Sequence, residues 1–419
     1  MTLITSSVLA LRSYLALLSG LGLFLALLAW RGLRPAWQLA LAGAFFGSLW
    51  TAQYYGPQVM PDQWVAVSAL AAVGLFMQAV SADGPVEAIR PRRGALLGVA
   101  ACLALAALVR PGDALYLSAV LVLAVLVVRR WRKIRLLLAV AGGFAAGAAE
   151  WVAEAFARFG NPLARLHAAG AEQGGFGLHL GIWAELRAVN GPTLCRPCTI
   201  GLRYPAISVW WLALPLLVGL GLLAARQAGR LESALLAAAC AAGLAAQYLF
   251  LLNYAAPRFL LPAYALAAIV VADAAGWLVT GLRGRARAVA VGLAAACLLG
   301  QVTVQHTVLE HQVAEKTNFF GDYGRIVTDL RALGIGPPCV IKGEQDIPLA
   351  YAAGCASAGS LAPAGSLAAA RHAGSDHVVV LVGPGQQVPG YLAGWTRHQL
   401  PGVRTALLKL SAYTPPTGQ

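Results

Sequence analysis

Ten apolar runs, at about residues 8–30, 36–50, 65–82, 94–109, 113–128, 134–156, 207–225, 233–252, 259–280 and 288–305, set what this chain can fold into. About 20 apolar residues in helical conformation cross the hydrocarbon core of a bilayer. The runs therefore read as membrane-spanning helices, and the shorter pair 94–109 and 113–128 also reads as one hairpin that does not fully cross. Trp30, Trp37, Trp50, Trp64, Trp131, Trp151, Trp210 and Trp277 fall near the ends of these runs, where interfacial aromatic side chains belong. Composition agrees: 59% of residues are hydrophobic and 11% charged, whereas a soluble domain carries about 25% charged residues. A soluble cytosolic enzyme and a disordered chain are both excluded.

The net charge of +14 would suit a nucleic-acid-binding protein if it lay on one soluble face. It does not. Residues 1–305 hold 23 Lys/Arg and 10 Asp/Glu, and residues 306–419 are almost balanced, with 8 and 7. Within the apolar part, fifteen basic residues crowd into five short loops, at 31–34, 90–93, 129–135, 226–230 and 283–287. The alternate short loops hold none at 51–64, Arg110 near 110–113 and Arg258 near 253–258. By the positive-inside rule the basic loops are cytoplasmic. The N-terminus, the long loop 157–206 and residues 306–419 are then extracytoplasmic, no signal peptide is evident, and no nucleic-acid partner is expected. The expected organisation is a multi-span domain over 1–305 and a small extracytoplasmic α/β domain over 306–419. In the latter, 322–333 and 347–353 read as helices, and 339–342, 377–382 and 405–410 as strands.

Of seven cysteines, Cys102, Cys240 and Cys297 lie within apolar runs. Cys195 and Cys198 form a CRPC in the long loop, and Cys339 and Cys355 lie in the outer domain. In an oxidising compartment two disulfides are the expected outcome, with Cys339 bonded to Cys355; half of a zinc site is the alternative for the CxxC.

Ionisable groups at membrane depth are costly and point to function. On the outer side these are Asp62 in YYGPQVMPDQW (54–64), Arg110 and Asp113 in VRPGDAL (109–115), Glu150 and Glu154 one helical turn apart, and Arg258 in NYAAPRFLLP (253–262). Tyr54, Tyr55 and Tyr254 lie in the same segments and complete the pocket candidates. Guanidiniums among carboxylates suit an anionic, phosphate-bearing ligand. Asp273, nearer the cytoplasmic end of its run, reads as a packed or paired residue. The GPG at 383–385 lacks the rest of a phosphate-binding motif.

Together the VRPGD turn, the NYAAPRFLLP segment, ARFGNP (157–162) after a Glu-bearing run, and the PPCV…YAAGC tail (337–355) resemble bacterial, actinobacterial-type GT-C superfamily membrane glycosyltransferases. The resemblance implies transfer of a sugar from a polyprenyl-phosphate donor to an extracytoplasmic glycan, lipid or protein acceptor at the cell membrane, assisted by a divalent cation such as Mg or Mn. It implies donor-phosphate contacts from Arg110 and Arg258. It places 9–30 at the family's second span, so that a first helix and a first outer loop with the family's catalytic carboxylate would precede this chain; Asp62 is then the carboxylate that takes the base's place. A transporter or flippase for a lipid-linked or small solute, and a non-catalytic scaffold in envelope glycan assembly, are the alternatives.

Overall fold

The computed structural model describes residues 7–81, 89–172, 177–196, 198–199, 201–202, 204–358, 377–404 and 408–416. Two compact units divide the chain, Met1–Leu309 and Glu310–Gln419. The sequence boundary was drawn at 305/306.

The first unit is helical. In chain order it contains α1 (Val8–Leu28), α2 (Ala36–Gly47), α3 (Trp50–Tyr55), α4 (Pro61–Ser81), α5 (Ile89–Val109), α6 (Pro111–Val127), α7 (Ile134–Phe159), α8 (Pro162–Glu172), α9 (Ile182–Val189), α10 (Pro205–Gln227), α11 (Leu231–Phe250), α12 (Leu261–Thr280) and the start of α13 (Gly284–Ala332). Among the described residues, seven helices are long and apolar enough to cross a membrane, and the chain is a multi-pass membrane protein. The other three apolar runs lie in α2, α5 and α6, with shorter apolar stretches at Ala36–Gly47, Arg93–Val109 and Pro111–Val127. All ten expected runs are thus helical, seven of them in helices that meet the length and hydropathy of a span. At 1.5 Å per residue the 12-residue α2 reaches only about 18 Å.

The centre of the unit is α12, buried along most of its length. Elsewhere small residues let helices approach closely. A Cβ on Gly143 or Gly147 of α7 would fall 2.5 Å and 2.1 Å from the carbonyl oxygens of Ala100 and Ala104 on α5. Such contacts drive helix association in lipid, where apolar burial gives little preference for another helix over the acyl chains.

The expected separate helix at 322–333 is instead the end of α13, a 49-residue helix continuous with the last apolar run. No proline interrupts 284–332. Gly321 and Gly324 stand inside the helix without ending it, since a lone glycine weakens a helix by only about 1 kcal/mol.

The second unit carries β1 (Cys339–Gly343), α14 (Asp346–Ala353), β2 (Ala356–Ser357), β3 (His377–Val382), β4 (Thr396–Gln399) and β5 (Ser411–Thr414). The sheet order is β2-β1-β3-β5-β4, with β2, β1 and β3 parallel and β5 antiparallel to both its neighbours. Cys339 pairs with His377 and Gly343 with Leu381. The strand expected at 405–410 is not where the last strand forms: 405–407 lie outside the described residues, Leu408–Leu410 are not in a strand, and the ladder resumes at Ser411. Leu408 and Leu410 are buried against Ile326 and Leu330, which accounts for their apolar character without a ladder.

Gly147→Ala should lower stability in detergent by about 1–3 kcal/mol, the usual cost of overpacking. Gly142→Ala, where a Cβ meets open space, should not. Thermal unfolding of the two variants beside the parent checks this.

Candidate active site with paired guanidiniums

Three chain segments build the site. At the α5–α6 junction the Arg110 amide donates to the Ala106 carbonyl at 2.8 Å and closes α5. Pro111 then starts α6, where its missing N–H costs nothing, and Asp113 falls in the first turn. Asp62 follows Pro61 in the first turn of α4, where a helix N-terminus favours a carboxylate. Arg258 and Phe259 lie in the irregular segment between α11 and α12.

These segments converge on Asp62. Its Oδ1 accepts from Arg110 Nη1, and its Oδ2 lies 3.3 Å from Arg258 Nε. Arg110 Nε is also 3.3 Å from Asp113 Oδ2. The other Asp113 oxygen accepts from Gln247 Nε2 and from the Tyr248 hydroxyl. The Phe259 ring serves both cations, with its centroid 4.9 Å from the Arg110 guanidinium carbon and 5.2 Å from that of Arg258. Tyr248 adds a second ring to Arg110 at 5.4 Å, and Tyr55 adds one to Arg258 at 5.6 Å. Both carboxylates are fully buried, while the Arg110 and Arg258 side chains remain 23% and 22% exposed. The negative charge thus lies at the back of the site and the guanidiniums reach its surface. About a fifth of each arginine side chain thus stays open to an incoming anion.

Of the sequence candidates, Asp62, Arg110, Asp113, Arg258, Tyr55 and Tyr254 meet here. Tyr254 packs edge-on against Phe259 at 5.7 Å. Tyr54 sits one ring further out, 4.9 Å from Tyr55 and 6.1 Å from Trp50. Glu150 and Glu154 do not join it. Glu150 is exposed on α7, and Glu154 pairs with Arg158 at 3.1 Å and with Arg165. Their one-turn spacing reflects a solvated helix face tied to local arginines. Phe259, Gln247, Tyr248 and the Thr193 carbonyl, which accepts from Tyr55 OH at 3.3 Å and Arg258 Nη1 at 3.5 Å, were not foreseen. Adjacency of Phe259 to Arg258 was a usable signal; a backbone carbonyl has none.

Among the described residues no group of three or more His, Cys, Asp or Glu side chains comes together. The two carboxylates present are engaged by guanidinium, amide and hydroxyl donors.

Cys195 is bonded to Cys198, and Cys339 to Cys355, with Cα–Cα separations of 4.6 and 4.8 Å. Asp273 is paired, as its position suggested, with Arg34: Nε is 2.8 and 3.0 Å from its oxygens and Nη2 is 2.7 Å away.

One buried carboxyl makes no hydrogen bond among the described residues, that of Glu185 of α9, which is fully enclosed. Burial holds its pKa well above the usual carboxylate value. The folded state therefore retains a proton that the unfolded state releases, and stability falls as pH rises from the unfolded value toward the folded one, by up to about 1.4 kcal/mol per pH unit. Glu185→Gln should remove this dependence: its stability advantage should grow between pH 5 and pH 8, read as the difference in unfolding midpoints.

No family model matches this sequence, and no curated protein matches it. Solved structures do. ArnT from Cupriavidus metallidurans bound to undecaprenyl phosphate is similar at 15% identity with a TM-score of 0.62, over 97% of this chain and 84% of that one. ArnT in the apo state is similar at 15% identity and a TM-score of 0.61, over 96% and 83%. At this identity the likeness is one of fold, which this chain shares with those structures.

Proposed function

We propose that this chain is a membrane glycosyltransferase that takes a sugar from a polyprenyl-phosphate donor and passes it to an extracytoplasmic glycan, lipid or protein. The observation that carries the reading is the pair of guanidiniums held side by side by one buried carboxylate, each about a fifth exposed. It is supported by the GT-C-like fold, in which a structure of similar architecture is bound to undecaprenyl phosphate.

In this reading the donor phosphate lies against Arg110 and Arg258. As the bond between the anomeric carbon and the phosphate oxygen breaks, negative charge grows on the leaving lipid phosphate. Hydrogen bonds from fixed cations then strengthen at the moment they lower the barrier. Asp62 and Asp113 keep the forks aimed, so that little reorganisation is needed during the reaction. Asp62 is proposed here as the holder of both arginines. Its two oxygens face the two guanidiniums and are thereby committed to holding them. A divalent cation, which the sequence resemblance implies, would supply Lewis-acid assistance to the leaving phosphate. No step is assigned to it.

The orientation follows from the same arginines. Arg110 and Arg258 stand in loops otherwise poor in basic residues, so the site and loop 157–206 are placed outside. Residues 306–419 are placed outside as well, on the loop-charge alternation. Reporter fusions after Lys133 and after Gln419 should report opposite sides; the same side for both would defeat this orientation.

The experiment on function measures undecaprenyl-phosphate binding and transfer from radiolabelled polyprenyl-phosphate sugars in membranes. Arg110→Ala should weaken binding by roughly 10- to 100-fold, the worth of hydrogen bonds to a charged group. Arg110→Lys keeps the charge, loses the fork and should fall between the two. Undiminished affinity in a normally expressed Arg110→Ala protein would remove the phosphate role.

A further inference from the structure

Cys195 and Cys198 close a small ring in the segment between α9 and α10. That ring is tied on two sides. The Cys195 amide donates to the Ala255 carbonyl at 2.8 Å, and the Ala255 amide donates back to the Cys195 carbonyl at 3.2 Å. Ala255 stands three residues before Arg258. On the other side, Arg187 Nη1 of α9 donates to the Cys198 carbonyl at 2.8 Å. The α9 helix is itself docked, through Gly181 N–H on the Leu249 carbonyl at 2.8 Å and Trp50 Nε1 on the Val189 carbonyl at 2.9 Å. Two residues before the ring, the Thr193 carbonyl receives Arg258 Nη1 and the Tyr55 hydroxyl. Arg196, inside the ring, stands 5.4 Å over the Tyr254 ring. Among the described residues neither 190–196 nor 253–258 is helical, so these cross-links decide where Arg258 sits.

We propose that the Cys195–Cys198 disulfide is a redox-sensitive positioning element for Arg258, and that opening it weakens the phosphate site. The effect on phosphate rests on the function proposed above; the effect on the 253–258 segment does not. Opening needs a dithiol reductant. One of its thiolates attacks Cys198 Sγ, the more accessible sulfur, since Cys195 is 2% exposed. The Cys195–Cys198 bond breaks and Cys195 leaves as a thiolate that takes up a proton. The second thiolate of the reagent then attacks the mixed disulfide. It releases Cys198, which is protonated in turn, and closes the reagent's own disulfide, so two electrons and two protons pass to the protein. With the ring open, the turn that presents both the Cys195 and Thr193 backbones is no longer fixed.

The full chain in detergent tests this in two measurements. Amide exchange of the peptide containing Ala255 is followed with and without dithiothreitol, and in Cys195→Ser/Cys198→Ser, which leaves Cys339–Cys355 intact. Undecaprenyl-phosphate affinity is measured in the parent, the Ser pair, Arg258→Ala and the combination. The expected result is exchange at Ala255 faster by roughly tenfold or more on reduction or in the Ser pair. Affinity should fall roughly tenfold in the Ser pair and no further in the Arg258→Ala background, the non-additivity of groups acting through one another. Unchanged exchange at Ala255 in the reduced protein overturns the proposal. So does an undiminished loss of affinity from the Ser pair when Arg258 is already Ala. A parent protein that binds no undecaprenyl phosphate, yet loosens at Ala255 on reduction, overturns the phosphate reading and leaves the positioning of the segment standing.

Discussion

Asp62 is shared between two guanidiniums, and one end of the helical unit depends on that sharing. Arg110 and Arg258 approach the same Phe259 ring from segments almost 150 positions apart in the chain, and without a common counter-charge they would repel. Little water reaches the carboxylate, so both the attraction to it and the cost of losing it are amplified. Removing one member of a buried ion pair typically costs about 3–5 kcal/mol, because the charge left behind has no other solvation. Asp113 completes the arrangement from behind. With Gln247 and Tyr248 donating to its other oxygen, it prevents Arg110 from swinging fully toward Asp62. The α4 N-terminus, the α5–α6 turn and the segment before α12 are thereby fixed to one another.

The heart of this site was legible in the sequence because charge at membrane depth on the basic-poor side has no topological explanation. That argument found Arg110, Arg258 and Asp62 from their positions alone. It could not rank Asp113 against Glu150 and Glu154, because all are carboxylates near span ends. Only the fold shows that Glu154 answers Arg158 and Arg165 while Asp113 answers Arg110. Phe259 and Tyr248 escaped notice because aromatic residues near an interface are ordinary. In the C-terminal unit the β-branched runs at 339–343 and 377–382 announced β1 and β3, which are buried on both faces. β4 is TRHQ, a mostly exposed strand at the sheet edge, and β5 is only four residues long, so neither carries an apolar pattern. The end of the last apolar run likewise looked like a helix end, although nothing in 306–321 stops the backbone.

A second buried arginine–carboxylate pair shows what separates a site from a strut. Arg34 is 4% exposed and spends every nitrogen: Nε and Nη2 on Asp273, Nη1 on Ser233 Oγ and the Leu33 carbonyl, each at 2.9 Å. Arg230 approaches the same carboxylate at 3.4 Å and donates to Gln38 at 2.9 Å. Such a pair, on loops rich in basic residues, can anchor α12, but the Arg34 side chain is only 1% exposed and offers no surface to a ligand. Arg110 and Arg258 hold equally buried carboxylates, yet each keeps about a fifth of its surface open. The same residue types, at the same kind of depth, thus do different work according to how much of the guanidinium stays open to another anion.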